Sequence, residues 1–295
     1  MSIPSLENYS LPVIKSLPEN KVDWKIEPSR SALLIHDMQQ YFVRFFGEDS
    51  GLVKRVEKNI VALRAWAKQH NIPVIYTAQP IEQSDKDRAL LNDMWGPGLT
   101  KADPSLQKVV PALAPDRDDI VLVKWRYSAF YRSELEEILK ESTRDQLIIC
   151  GIYAHIGCLT TALDAFMRDV QPFMIADAVG DFSEQEHHMA LEYVARRCGS
   201  VVATGDVLSI GASAATVLSW SLLKDQLLDL IDEEPELFDA DENLIDYGLD
   251  SAQLMGLITD WQKLGVHMTF EELAVAPSLN GWWQLIQGKY PQLAE

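Results

Sequence analysis

From Ser31 to Thr204, six short apolar runs alternate with stretches of helical spacing. That alternation restricts the larger part of the chain to stacked βαβ units around a parallel sheet. The runs are Ser31 to His36, Pro73 to Thr77, Ile120 to Lys124, Gln146 to Ile152, Pro172 to Ala176 and Ser200 to Thr204. Between them Val53, Val56, Ile60, Leu63 and Ala67 recur at helical spacing, as do Leu159, Ala162, Leu163, Phe166 and Met167. Ser133 with Glu136, and Ser183 with Glu186, read as capping boxes at two further helix starts. Residues 1–207 are expected to form an α/β domain, a six-stranded parallel sheet flanked by helices.

The alternation stops at Gly205 to Ser213, and no further strand signal follows. Val217, Trp220, Leu223, Leu227 and Ile231 recur at helical spacing, then Leu254, Ile258 and Trp261, then Leu279, Trp282, Trp283 and Ile286. Residues 208–213 therefore read as a linker. Residues 214–295 read as a separate all-α domain, a four-helix bundle with an acidic loop, Asp232 to Asp246, after its first helix. Charge breaks at the same place: Gly211 to Glu295 holds 15 of the 44 acidic residues but 3 of the 26 basic ones. The overall charge of −18 disfavours nucleic acid and anionic membranes as partners, because their phosphates repel such a field. No apolar run is long enough to cross a bilayer, and the first residues lack a basic-then-apolar leader pattern, so a soluble, cytoplasmic protein is expected. Cys150, Cys158 and Cys198 contain no Cys-x-x-Cys pair and suit reduced thiols.

In the second domain, Asp246-Tyr-Gly-Leu-Asp-Ser-Ala-Gln-Leu-Met255 joins a turn-permitting Gly248 to a helix beginning near Ser251, with Asp250 as its cap. A serine hydroxyl there is exposed. The helix N-terminus also favours an attached phosphodiester through its unpaired N–H groups and dipole. The bland reading is that Asp250 and Ser251 only cap the helix. Gly248-Leu-Asp-Ser251, its acidic loop and the helix order resemble the acyl, peptidyl and aryl carrier proteins. The resemblance implies 4'-phosphopantetheine covalently on Ser251, added by a phosphopantetheinyl transferase that uses coenzyme A and Mg2+. Met255 and Phe270 are apolar candidates either for docking onto synthetase partners or for filling the bundle core.

In a doubly wound sheet the active site lies at the carboxyl ends of the strands, so the residues leaving each run are the informative ones. The first run ends at His36-Asp37, the second at Thr77-Ala-Gln79, the third at Lys124-Trp-Arg126 and the fourth at Tyr153-Ala-His-Ile-Gly157. Side chains alternate along a strand, so His36 and Asp37 should face opposite ways. No Gly-x-Gly-x-x-Gly or Gly-x-x-x-x-Gly-Lys loop follows the first run, which argues against dinucleotide or nucleoside triphosphate binding. His187-His188 lies within a helical pattern where neighbouring side chains diverge by about 100°, so a solvated face rather than a metal site is expected.

An Asp after the first strand, a Lys after the third and a fourth strand entering a helix through Gly151-Ile-Tyr-Ala-His-Ile-Gly-Cys-Leu-Thr-Thr-Ala162 resemble the isochorismatase-like hydrolase superfamily. That family is Rossmann-like, and most members are cysteine hydrolases. Their nucleophile stands with three residues between it and a Thr-Ala pair, a place that Gly157 holds before Thr161-Ala162 here, and Cys158 comes one residue late. A thiol displaced by about 100° should point away from the catalytic position and pack instead. Leu33-Leu-Ile-His-Asp-Met-Gln39, Tyr76-Thr-Ala-Gln-Pro80, Asn92-Asp-Met-Trp-Gly-Pro-Gly98 and Lys124-Trp-Arg-Tyr-Ser-Ala-Phe130 look like the isochorismatases proper. Followed by an aryl carrier domain, this is the layout of the bifunctional isochorismatases of catechol siderophore biosynthesis, the enterobactin type.

That resemblance implies hydrolysis of the vinyl ether of isochorismate to pyruvate and 2,3-dihydroxy-2,3-dihydrobenzoate, with no covalent intermediate and no metal. Asp37 would be the general acid and Lys124 its catalytic partner. Gln79, Arg88, Tyr153 and Gly157 would position the substrate, with Phe42 and Trp95 as apolar walls. The implied partners are an aryl-acid adenylating enzyme, a nonribosomal peptide synthetase condensation domain and a second copy of the chain in a homodimer. Each residue has a plainer reading: Arg88 as a surface ion pair, Asp37 as a helix cap, Gln79 as a loop anchor and Tyr153 as a structural ring. Rival functions are a nicotinamidase-like amidase using Cys158 and a catalytically dead carrier and docking protein.

Overall fold

A computed structural model describes residues 3–4, 6, 8–47, 49–211, 218–231 and 238–293. The chain divides into two compact units, Met1–Gly211 and Ala212–Glu295. In the first, strands β1 (Ser31–His36), β2 (Val74–Ala78), β3 (Ile120–Val123), β4 (Gln146–Ile152), β5 (Gln171–Gly180) and β6 (Ser200–Val202) form one sheet in the order β3-β2-β1-β4-β5-β6. Every pairing is parallel. β1 and β4 are buried along their whole length because helices cover both faces, so they appear in the sequence as continuous apolar runs rather than as an alternation.

Strand order turns back between β1 and β4, and that crevice is where a doubly wound sheet leaves room for a ligand. The helix Gly51–Gln69 packs Val53, Val56, Ile60, Leu63 and Ala67 into the core on one side of the sheet. The helices Leu135–Glu141, Leu159–Phe166 and Glu184–Arg197 contribute Leu135, Leu139, Ala162, Ala165, Leu191 and Val194 to the core on the other.

Several local expectations change. β5 runs to Gly180, past the expected end at Ala176, so Asp177 lies inside the strand and Asp181 immediately after it. Leu159–Phe166 buries Thr161, Ala162 and Ala165 and leaves Phe166 and Met167 exposed, so the apolar stripe read from spacing is offset from the face that meets the core. Ser183 caps its helix, its Oγ accepting from Glu186 N–H and donating to the Glu186 carboxylate. Ser133 forms no such box: its helix begins at Leu135, and Glu136 turns to Lys140 and Arg168. His187 is wholly buried, hydrogen-bonded to Ala176 O and Tyr9 Oη, which corrects the expectation of a solvated histidine pair. Among the described residues no cluster of His, Cys, Asp or Glu is arranged to hold a metal ion, and no helix is long and apolar enough to cross a membrane.

In the second unit the described helices are Trp220–Leu228, Ser251–Lys263, Phe270–Ala274 and Leu279–Lys289. They enclose a core of Leu223, Leu227, Leu254, Ile258, Trp261, Trp282 and Ile286, with the Trp261 and Trp282 rings edge to face at 6.0 Å. Val217, the segment 212–217 that includes part of the expected linker, and residues 232–237 of the expected acidic loop lie outside the described residues.

Candidate functional site

The carboxyl ends of β1 to β4 open into a cavity whose empty space, counted out into open solvent, is about 650 Å³. Asp37, Phe42, Gln79, Arg88, Trp95, Lys124, Tyr153 and Gly157 all line it. Asp37 is the first residue past β1, with φ of 49°, a left-handed conformation in which a short polar side chain is among the few non-glycine residues tolerated. It caps no helix. Its Oδ1 accepts from Thr77 Oγ1 at 2.7 Å and its Oδ2 from Lys124 Nζ at 2.5 Å. Thr77 Oγ1 in turn accepts from Asp37 N–H at 3.1 Å, so the end of β2 holds the carboxylate by side chain and backbone together. Asp37 and Lys124 are both almost completely buried.

Arg88 ends the short helix Asp85–Arg88, whose first turn Ser84 caps. It is buried rather than a surface ion pair: Nε donates to Gly96 O at 2.8 Å and Nη1 to Gln83 Oε1 at 3.4 Å. Burial pushes the guanidinium pKa down, which marks a cation short of water and suited to an anion from solution. Gly98 makes this placement possible, since a Cβ there would stand 2.4 Å from Arg88 Nη2.

Gln79 is held by a residue to which spacing assigned no role. Gln39 Oε1 accepts from Gln79 N–H at 2.7 Å, while its Nε2 donates to Gln79 O and Gln107 O. Tyr153 donates its hydroxyl to Phe42 O at 2.7 Å, so it presents its ring rather than a free donor. That ring stands edge-on to Phe42 and to Phe182, and Trp95 meets Phe182 edge to face while donating Nε1–H to Tyr127 Oη. Ile3, Tyr41, Tyr127 and Phe182 also line the cavity. Tyr41 comes from the one-turn helix Gln40–Val43 and the others from loops and the N-terminal segment, where no periodicity marks them.

The turn after β4 is a π-helical turn, Ala154–Cys158, leading into Leu159–Phe166. Gly157 faces the cavity, whereas Cys158 packs in the core with Ala154, Ala162 and Val179. Burial pushes the Cys158 thiol well above the usual range, the opposite of what a nucleophilic thiol needs. Asp181 secures the turn from below, its two carboxylate oxygens taking His155 N–H at 2.7 Å and His155 Nδ1 at 2.5 Å. Burial acts to lower the His155 pKa, but the Asp181 hydrogen bond and charge, with Glu186, leave it raised.

In the second unit, Asp250 and Gln253 form the capping box of the helix Ser251–Lys263, each side chain 2.8 Å from the other's backbone N. Asp250 therefore supplies the cap, and Ser251, exposed at the first helical position, is not needed for it. Gly248 has φ of 87° and open space where a Cβ would stand. Met255 and Phe270 are exposed rather than part of the bundle core. A group attached at the exposed Ser251 has the N-terminal amides of a 13-residue helix beside it.

A buried carboxylate–ammonium pair, a buried guanidinium and an apolar wall meet in one cavity, beside a turn that faces it with Gly157 and packs Cys158 away from it. The chain belongs to the isochorismatase family: the isochorismatase domain matches residues 31–206, and a phosphopantetheine attachment site matches residues 221–286. Its sequence is 59% identical to enterobactin synthase component B of Escherichia coli, over 97% of this chain and 98% of that one. It is 44% identical to a protein named isochorismatase from Bacillus subtilis, over 99% and 98%. Among solved structures, a cysteine hydrolase from Pseudomonas syringae pv. phaseolicola superposes with a TM-score of 0.58 at 25% identity, over 65% of this chain and 96% of that one.

Proposed function

We propose that Asp37 is the general acid with which this isochorismatase hydrolyses the vinyl ether of isochorismate. The observation that carries the reading is the convergence of Asp37, Lys124 and Arg88, all buried, on one cavity whose catalytic turn carries glycine at 157 and hides Cys158. A vinyl ether needs a proton on its terminal methylene carbon, not a nucleophile. Asp37 delivers that proton, and the electron pair of the double bond forms the new C–H bond, leaving an oxocarbenium ion. Water adds to the ether-bearing oxocarbenium carbon and returns a proton to the Asp37 carboxylate. The hemiketal then collapses, breaking the C–O bond to give pyruvate and 2,3-dihydroxy-2,3-dihydrobenzoate.

Lys124, sharing a short hydrogen bond with Asp37, holds the acid's carboxyl in place at the cavity. The two substrate carboxylates bring negative charge into a site short of water, where the neutral form of the acid is favoured. Arg88 and the N–H of Gly157 take those carboxylates. Gln79, fixed by Gln39, orients the ring, while Phe42, Trp95 and Tyr153 wall it.

Residues 1–207 form the hydrolase domain, 208–213 the linker and 214–295 the carrier in this reading. Phosphopantetheine on Ser251 supplies a thiol that holds an activated aryl acid, 2,3-dihydroxybenzoate, as a thioester. The transferase that adds it uses Mg2+. An aryl-acid adenylating enzyme loads the arm, and a condensation domain meets the carrier at Met255, exposed on the attachment helix, and Phe270, exposed at the start of the next. The protein works in the cytoplasm as a homodimer through its hydrolase domain, where Phe166 and Met167 offer exposed apolar surface. Incubation with isochorismate under a coupled pyruvate assay, and intact mass after treatment with transferase and coenzyme A, test both halves on one preparation. Absence of pyruvate refutes the first and an unchanged mass the second.

A further inference from the structure

Gly157 borders the cavity, yet a Cβ at that position would lie 2.1 Å from His36 Cε1, 2.8 Å from Nε2 and 3.0 Å from Nδ1. These are atoms of a rigid ring, not the movable end of a flexible chain, so a packed interior offers no cheap relief. The ring is fixed on several sides. His36 is the last residue of β1, paired with Thr77 of β2 and Gly151 of β4. Its Nδ1 donates to Ile152 O at 2.9 Å, and its Nε2 lies 3.4 Å from Thr161 Oγ1. At Gly151, with φ of 108°, a Cβ would stand 2.2 Å from His36 O, so the backbone of this residue is enclosed as tightly as its ring. The same Nδ1 lies 3.7 Å from Asp37 Oδ2, the oxygen that Lys124 holds. The ring therefore fills the space between the α-carbon of residue 157 and the acid.

We propose that His36 is a positioning and specificity-determining residue, whose ring occupies the room a side chain at 157 would need. It thereby commits the site to proton transfer from Asp37 and bars attack by residue 157. The role rests on the reading of Asp37 as the acid. It also explains why a histidine, a residue with two nitrogens to satisfy, is tolerated at the end of a fully buried strand: Ile152 O takes one and Thr161 approaches the other. In this arrangement the ring does not touch substrate. It acts through Asp37 and through the turn that presents the Gly157 N–H.

The test is a double-variant cycle on the full chain: wild type, Gly157→Cys, His36→Val and the two combined. The readouts are kcat and KM for pyruvate release, thermal midpoint, and iodoacetamide labelling mapped to residue 157. With His36 present, Gly157→Cys is expected to lower the midpoint by about 5 °C, as overpacking does in a domain of this size, and to cut kcat by about 100-fold. His36→Val alone lowers kcat about tenfold with KM unchanged, since it loosens the acid without removing a substrate contact. In the combined variant, the Gly157→Cys penalty on the midpoint disappears and the thiol at 157 labels stoichiometrically. A Gly157→Cys protein with wild-type midpoint and kcat overturns the proposal, as does a midpoint penalty of equal size with and without His36. If the wild type releases no pyruvate, the hydrolase reading fails instead, while the stability and labelling arms still test the ring against residue 157.

Discussion

Asp37 Oδ2 and Lys124 Nζ stand 2.5 Å apart in a pair whose side chains are 8% and 3% exposed. Such a pair is expensive to break from one side, because the charge left behind has neither water nor partner. Removing one member costs about 3–5 kcal/mol, whereas removing both costs less. Asp37→Asn should reduce pyruvate release by about 10²–10⁴-fold, the usual contribution of a general acid, while circular dichroism still reports a folded protein. Asp37→Asn combined with Lys124→Met should be more stable in urea than Lys124→Met alone. An additive loss would mean that the two charges are not coupled.

Arg88 and Gly98 make the second prediction. The guanidinium lies against the Gly98 backbone, and its Nε is committed to Gly96 O. Lysine has no fork to meet both Gly96 and an incoming carboxylate. Arg88→Lys should therefore raise KM by about 10–100-fold with a smaller fall in kcat, the pattern of lost substrate binding. Gly98→Ala should do the same, because its Cβ would displace the guanidinium. Steady-state kinetics with isochorismate would measure both, and an unchanged KM in Gly98→Ala would reject this account of the arginine's placement.

Much of this site is legible from strand ends alone. Asp37, Gln79, Lys124 and Tyr153 each follow a recognisable apolar run, and a parallel sheet brings such positions to one edge by construction. Arg88 and Trp95 lie in short helical turns between β2 and β3, and only the family resemblance drew attention to them. Phe182, Tyr127 and Gln39 carry no signal of their own. Their roles depend on loops converging from residues far apart in the chain, and neither spacing nor propensity encodes that. β5 runs past its expected end at Ala176 for a related reason. Ala-Asp-Ala-Val-Gly is a poor isolated strand, yet pairing Val179 and Gly180 with the end of β4 extends it.

His187 gives a prediction about acid stability. Burial pushes its pKa down to about 4, so the folded protein keeps the ring neutral while an unfolded chain protonates it near 6.5. The unfolded state then binds the extra proton between those values. The stability this ring retains is complete above about pH 6.5 and is lost as pH falls toward 4, amounting to about 2 kcal/mol at pH 5 by linkage. His36, pushed down to about 4 by burial and then by the Lys124 charge, acts in the same direction. His187→Gln should flatten the fall in urea stability between pH 7 and pH 5 relative to wild type. An identical slope would show that this ring is not the group that titrates.

Cys158 tests the claim that this active site works without a thiol. All three cysteines are buried, and burial pushes the Cys158 thiol well up. Iodoacetamide at neutral pH should leave pyruvate release unchanged. Cys158→Ala should retain wild-type kcat within about threefold while losing about 1 kcal/mol of stability to the small cavity it leaves. A folded Cys158→Ala protein without activity would return the sulfur to the mechanism.

Ser251 and Asp250 separate attachment from capping. Because Asp250 supplies the cap through Gln253 N–H, Ser251→Ala should leave the melting of the carrier helices unchanged and abolish the mass gain on treatment with transferase and coenzyme A. Asp250→Ala should do the reverse in part, costing about 1 kcal/mol of helix stability while the serine hydroxyl remains in place. Neither residue is among those lining the cavity that holds Asp37, so pyruvate release should match wild type in both proteins. A mass gain that survives Ser251→Ala would move the attachment point to another residue of the carrier domain.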